Sequence, residues 1–234
     1  MTLLTICQDA ADTIGIPRPT AVISSPDLQV RRLLAAAQRE GLSLQRRFHW
    51  QATAREAVWT TTATEDQGLL ETIAPGYDGF IDETQWNRTQ QQRLFGPLSP
   101  QQWQARKASV NVGPSHFLFL RNKRLYVNPV PPAGESWAFE YWSKYFCRSN
   151  AGTDQTRWAA DNDVGILDEE IMTKGVIWRF KQSNGLDYAE DFTAYEADVA
   201  LLMARDGGAH RIDMGEQSPD WAGEPSVPEG NWNL

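Results

Sequence analysis

The stretch 174-KGVIWRFKQSNGLDYAEDFTAYEADVALLMARDGG-208 decides the fold, because it holds two helical segments joined by the turn 183–185. The apolar side chains of the second segment recur every three or four residues, which is the period of one helix face. Trp178 adds an aromatic side chain to the first segment. We predict that these side chains pack within a helical bundle or against neighbouring copies; they are Trp178, Tyr188, Phe192, Tyr195, Val199 and Leu202. No set of residues in the stretch is built for chemistry, which indicates assembly.

Two further helices are predicted near the N-terminus. The first covers residues 3–14 and stops at Gly15. The second runs to about Arg47, with Ser25 as its N-cap and Pro26 as its first helical residue. Arginine dominates its polar side, at positions Arg31, Arg32, Arg39, Arg46 and Arg47. This side is either a solvated helix face or a basic stripe that meets an acidic neighbour or DNA.

The middle of the chain has the alternating pattern of strands. Residues 55–65, REAVWTTTATE, are rich in Thr, Val and Trp, and 116–127, HFLFLRNKRLYV, form two apolar runs around a turn. In the segment 137–144 two sets of side chains are predicted to point to opposite faces. One set is Trp137, Phe139, Tyr141 and Ser143, and the other is Ala138, Glu140, Trp142 and Lys144.

The predicted fold class is α+β, with a helical bundle built from N- and C-terminal helices and an inserted antiparallel β-domain. The bundle takes residues 1–50 and 160–208, the β-domain 51–148, a linker 149–159 and an extended C-terminal arm 209–234. The arm is rich in Pro, Gly and acidic residues and cannot form a core by itself. Its spaced apolar side chains suit a tail that folds onto a partner, and a terminus without fixed structure is the alternative. They are Ile212, Met214, Trp221, Val227 and Trp232.

Composition excludes several classes of protein. The formal net charge of −8 argues against a nucleic-acid reader, though not against a pore through which DNA slides. Ten tryptophans indicate either a core or protein–protein surfaces. Two distant cysteines, Cys7 and Cys147, make no disulfide framework and favour a reduced, cytosolic origin. We find no signal peptide and no apolar run long enough for a membrane span.

Reactive motifs are absent from the sequence. The three histidines, His49, His116 and His210, lie at no metal-ligand spacing, and no nucleophile elbow, phosphate loop or dinucleotide fingerprint occurs. The consecutive acids 168–170 point in different directions on a helix, where they suit its positive N-terminal end better than acid–base catalysis. We therefore expect no catalytic activity, no cofactor and no metal.

Three segments together resemble the head-to-tail adaptor, or connector, proteins of tailed bacteriophages. They are YVNPVPPAGESWAFEYWSKYF at 126–146 with the hairpin before it, DNDVGILDEEIMTKGVIWRFKQSNGLDYAEDFTAYEADV at 161–199, and ARDGG at 204–208. The opening LTICQDAADTIGI at 4–16 is also similar to the start of that group. The resemblance is best over 115–208 and weaker over 51–114, and none of these motifs is catalytic.

The resemblance implies a structural virion protein that forms a ring, usually a dodecamer, beneath the portal protein at the capsid vertex. Such a ring carries tail or nozzle proteins and encloses part of the channel through which DNA passes without sequence-specific binding. It implies assembly in the host cytoplasm, residence at the head–tail junction and an arm that extends onto the portal. The tip of the β-hairpin, with Arg121, Lys123 and Arg124, is expected to face the tail side or a neighbour. A tail-completion protein and a carbohydrate-binding or hydrolytic tail module, the latter suggested by the Trp-rich β-segment, are the alternatives.

Overall fold

The computed structural model describes residues 2–108, 113 and 115–207, and within them the chain has the predicted α+β class. The helices are α1 (Leu3–Ile14), α2 (Leu28–Arg47), α3 (Leu70–Ile73), α4 (Pro100–Ala108), α5 (Glu169–Ser183) and α6 (Ala189–Asp206). The longer strands are β1 (Ala54–Thr60), β2 (Asp66–Leu69), β3 (Tyr77–Phe80), β6 (Phe117–Arg121), β7 (Arg124–Asn128) and β8 (Ser136–Ser143). Two-residue strands are β4 (Trp86–Asn87), β5 (Gln92–Arg93), β9 (Cys147–Arg148), β10 (Asp154–Gln155) and β11 (Val164–Gly165).

Helices α1, α2, α5 and α6 share one hydrophobic core, and α5 contacts the other three. Local signals fix the ends of these helices. The side chain of Thr2 caps α1 together with Thr5, and Gly15 ends it in the left-handed conformation. Asp168 caps α5 by accepting a hydrogen bond from the Ile171 backbone N–H at 3.0 Å. The bundle is therefore built from both ends of the described chain.

The start of α2 differs from the prediction. The helix begins at Leu28, and its N-cap is Asp27 rather than Ser25. The carboxylate of Asp27 accepts a hydrogen bond from the backbone N–H of Gln29 at 2.9 Å, which satisfies one of the free donors at the helix start. Pro26 consequently lies before the helix, not at its first position.

The β-strands between the helices form two antiparallel sheets around a second core. Strand β8 is central to the larger sheet, since β1 pairs along one edge and β4 and β3 pair along the other. The smaller sheet has the order β2-β7-β6. Along β8, Trp137, Phe139, Tyr141 and Ser143 are buried, as the predicted alternation requires. Ala138 on the opposite face is buried as well, because its cross-strand neighbours Val58 and Trp86 flank it.

Residues 147–165 return the chain to the bundle through a small sheet of order β10-β9-β11. The segment 149–159, which the sequence predicts as a linker, contains β10 and the buried Trp158. The Trp158 ring packs edge-on against Phe146, with ring centroids 5.7 Å apart. One face of this segment is thus part of the bundle core.

Candidate interaction surfaces

Most of the aromatic stripe of α5 and α6 lies inside the chain. Trp178, Tyr195 and Val199 are buried, and Tyr188 and Leu202 are partly buried against the same core. The Trp178 ring lies 5.0 Å from Phe192 and 5.9 Å from Tyr195, measured between centroids. Phe192, at the edge of the stripe, keeps 38% of its surface exposed.

The opposite side of α6 is apolar although it faces outwards. Helical geometry puts Thr193, Ala197, Ala200, Leu201 and Ala204 on this side, which we call the α6 outer face. All five side chains are exposed, Leu201 by 51%. An exposed helix normally presents charged residues to water, so a face of this composition is typical of a surface that contacts a partner.

The hairpin tip, residues 121–124, is a two-residue turn in which Asn122 and Lys123 both have positive φ, at 55° and 59°. The Arg121 guanidinium lies over the Tyr126 ring at 5.1 Å, and Arg124 pairs with Asp66 through Nε and Oδ2 at 2.7 Å. Lys123 projects into solvent. Two of the three predicted contact residues, Arg121 and Arg124, therefore have partners within the hairpin region, while Arg121 and Lys123 are both exposed.

The outer face of the larger sheet carries a shallow groove that the sequence analysis did not find. Trp86 and Val58 expose 46% and 49% of their surface on either side of Ala138. Glu56 and Glu140 are cross-strand partners beside them, and Arg88 pairs with Glu56. Trp86 lies in a two-residue strand, which is too short to show an alternating pattern.

Three arginines follow one line along α2. Arg32, Arg39 and Arg46 are seven residues apart, so they lie nearly above one another; we call them the arginine stripe. All three are exposed, and Arg32 donates to the Asn184 side chain. Arg39 and Arg46 make no ion pair with any described residue. Arg47, which the sequence groups with them, instead pairs with Glu196 of α6 through Nη1 and Oε1 at 2.7 Å.

A buried carboxylate joins the three long helices. Glu40 of α2 is fully buried and accepts hydrogen bonds from Arg179 Nε and from the Tyr195 hydroxyl, each at 2.6 Å. A Cβ atom at Gly175 would overlap the Glu40 side chain, so the glycine makes room for it. Burial, and then the charge of Glu40, raise the pKa of Tyr195, which therefore stays a hydrogen-bond donor at neutral pH. Glu40 is not among the residues predicted from the sequence, although its position four residues before the buried Leu44 places it on the core side.

Titratable groups in the described residues show no catalytic arrangement. Burial raises the pKa of both thiols, Cys7 and Cys147, to about 12, and nearby aspartates add to the shift, so neither is a nucleophile at neutral pH. No cluster of three metal-ligating side chains exists among residues 2–108, 113 and 115–207. The His49 ring stacks on Trp142, with ring centroids 5.2 Å apart.

Five predicted contact residues lie outside the described residues, as does His210. They are the apolar side chains of the arm, Ile212, Met214, Trp221, Val227 and Trp232. Within the part of the chain that the structure describes, no helix is both long and apolar enough to span a membrane.

Comparison with known proteins gives one family. The family described as SU10 adaptor protein matches residues 1–224, which is almost the whole chain. No curated protein matches the sequence. The match covers the bundle, the β-domain and most of the arm, and the chain therefore belongs to the SU10 adaptor protein family, whose members are structural adaptor proteins of bacteriophage virions.

Proposed function

We propose that this protein is a head-to-tail adaptor. It forms a ring of twelve copies under the portal, and the ring carries tail or nozzle proteins. The ring encloses part of the DNA channel at the head–tail junction and assembles in the host cytoplasm. It has no enzymatic activity. Family membership over residues 1–224 supports a structural role in the virion.

The observation that carries ring formation is the α6 outer face. Its small side chains let another helix approach closely, and it leaves Leu201 half exposed in the single chain. In a ring each copy uses two different surfaces, one for each neighbour. The α6 outer face is one such surface, and a second copy of this chain binds to it.

Net negative charge suits the channel. The formal charge is −8, and a wall of like charge discourages the phosphate backbone of DNA from sticking during passage. The cations at the hairpin tip, Arg121, Lys123 and Arg124, are assigned to the tail side or to a neighbour, and Arg121 and Lys123 are exposed. The apolar side chains of the arm are assigned to the portal.

Ala197→Glu tests the ring. The substitution places a charge in the middle of the α6 outer face while keeping a good helix former, so the fold should persist and self-association should fall about tenfold or more. Sedimentation velocity, with and without purified portal, measures the assembly. Ala105→Glu is the matched control, since it makes the same change at an exposed helical position of α4.

If Ala197→Glu assembles like the wild type, the α6 outer face is not the interface. Loss of assembly in both variants would indicate a general effect of added negative charge.

Removing residues 209–234 tests the arm separately. We expect portal capture to weaken while the oligomeric state of the isolated protein stays the same.

A carbohydrate-binding tail module is the second candidate, and one observation favours it. The exposed ring of Trp86 lies beside Glu56, Glu140 and Arg88, and aromatic rings next to polar groups suit sugar binding. The other tryptophans of the strands do not add to it, because Trp59 and Trp137 are buried. Titration with host-surface oligosaccharides, comparing the wild type with Trp86→Ala, would decide; saturable binding lost in the variant would favour this role.

A further inference from the structure

The arginine stripe has a regular geometry and no described partner for two of its members. Arg46, Arg39 and Arg32 follow one another at intervals of about 10 Å along the axis of α2. Leu28, one turn before Arg32 on the same side, exposes 59% of its surface. Three guanidinium groups next to an apolar side chain suit an acidic peptide with an aromatic residue, since arginine binds carboxylates and stacks on aromatic rings.

The arm begins at one end of this stripe. Helix α6 ends at Asp206, whose carboxylate accepts a hydrogen bond from the backbone N–H of Gln51 at 2.8 Å. A Cβ atom at Gly207 would lie 3.1 Å from Phe48, the residue that ends α2. The chain therefore leaves the described structure beside Phe48, two residues after Arg46.

The arm has the complementary charge and spacing. Residues 209–234 hold one arginine against five acidic side chains, namely Asp213, Glu216, Asp220, Glu224 and Glu229. In a polyproline II chain, which repeats every three residues, Asp213 and Glu216 lie on one side about 9 Å apart, and Asp220 follows about 12 Å further along. These intervals are close to those of the arginines, and Trp221 directly follows the third acid.

We propose that the arm of each copy binds the arginine stripe of the same copy. It runs antiparallel to α2, with Asp213 near Arg46, Glu216 near Arg39 and Asp220 near Arg32. Trp221 then reaches the exposed Leu28. Five residues lie between Gly207 and Asp213, which is ample length to reach Arg46.

This contact goes beyond the proposed function, because it needs neither portal nor ring. It gives the arm a place on its own chain, from which a partner must displace it. The contact is electrostatic and exposed, so it is weak and sensitive to salt. Tethering compensates for that weakness, since the arm is always present at high effective concentration.

Disulfide trapping in the full chain tests the contact. Ser43 is exposed on α2 between Arg39 and Arg46, so the pair Ser43→Cys and Gly215→Cys should form an intrachain disulfide under mild oxidation at low protein concentration. Mass spectrometry of the non-reduced monomer measures the yield. Native Cys7 and Cys147 are buried and do not compete.

The matched control pairs Gly215→Cys with Gln104→Cys, an exposed position of α4 that reports chance encounters. We expect the Ser43 pair to exceed it about tenfold, and Arg39→Glu with Arg46→Glu to remove the excess. Adding Asp213→Arg and Glu216→Arg should restore it. Arg39→Gln with Arg46→Gln provides a milder version if charge reversal prevents folding.

Three results would overturn the proposal. Equal yields for the two cysteine pairs would mean that the arm does not prefer the stripe. Disulfide-linked dimers in place of intrachain links would assign the stripe to the arm of another copy. Loss of the intrachain link on adding a short DNA duplex at physiological salt would make nucleic acid its preferred occupant.

Discussion

At the scale of single residues, Glu40 is predicted to contribute strongly to stability. It is fully buried, and its hydrogen bonds to Arg179 and Tyr195 join three helices. Glu40→Ala leaves the Arg179 charge without its partner in a site that is mostly closed to water. We expect the free energy of unfolding to fall by roughly 3 kcal/mol, measured by urea denaturation.

Tyr195→Phe is the graded comparison for that experiment. It removes one hydrogen bond to the carboxylate and leaves the ion pair and the ring packing in place, so it should cost about 1.5 to 2 kcal/mol. An unchanged unfolding free energy in Glu40→Ala would show that the network contributes nothing to stability.

The helical period of α2 predicts which side Glu40 occupies, but not that Gly175 and Arg179 complete its site, because those residues are distant in sequence.

At the scale of elements, the hairpin of β6 and β7 has a turn that its sequence does not favour. Lys123 has a φ of 59°, in the left-handed region where a Cβ atom is disfavoured and glycine is preferred. Lys123→Gly should therefore raise the free energy of unfolding by about 0.5 to 1 kcal/mol. Thermal unfolding followed by circular dichroism measures the change.

Lys123→Ala is the matched control, since it removes the same charge but keeps the Cβ atom. It should give no such gain, and an equal gain in both variants would trace the effect to the lysine charge. If Lys123 contacts a partner, both variants lose that contact while only the glycine variant becomes more stable. Stability and assembly are thus separable at one position.

Sequence patterns predict long helices and strands better than short ones, because only a long element shows several periods. The stripe of α6 and the alternation along β8 extend over several periods, and both were predicted correctly. Strands β4 and β10 have two residues each, so no period exists to detect. Sequence patterns therefore do not show the groove at Trp86, which depends on pairing with the distant β8. They do not show the packing of Trp158 either, which depends on hydrogen bonds to Ala37 and Gln38 of α2.

At the scale of the whole molecule, the described chain has two separate hydrophobic cores. A few side chains bridge them, including the stack of His49 on Trp142 and the bond from Gln45 Nε2 to Asp78 Oδ2 at 3.0 Å. We predict two calorimetric transitions. Leu44→Ala should lower only the bundle transition and Leu118→Ala only the other, each by roughly 2 to 5 kcal/mol of unfolding free energy.

Each of those variants serves as the control for the other, since both delete a fully buried leucine side chain. A single transition that moves with either change would mean that the cores unfold as one unit.

The α+β class and the position of the inserted strands follow from sequence periodicity. The role of the α6 outer face cannot be predicted in this way. The helical period shows which side of α6 faces the core, but it does not show what binds the opposite side.

The pairing of β1 with β8 has a practical consequence for protein engineering. Ala54, where the first strand starts, lies directly opposite Trp142 near the end of the last long strand. The backbone crosses out of the helices and back again at points about 5 Å apart. A tight loop, or a foreign module with equally close termini, could be grafted at this junction without stretching the scaffold that receives it.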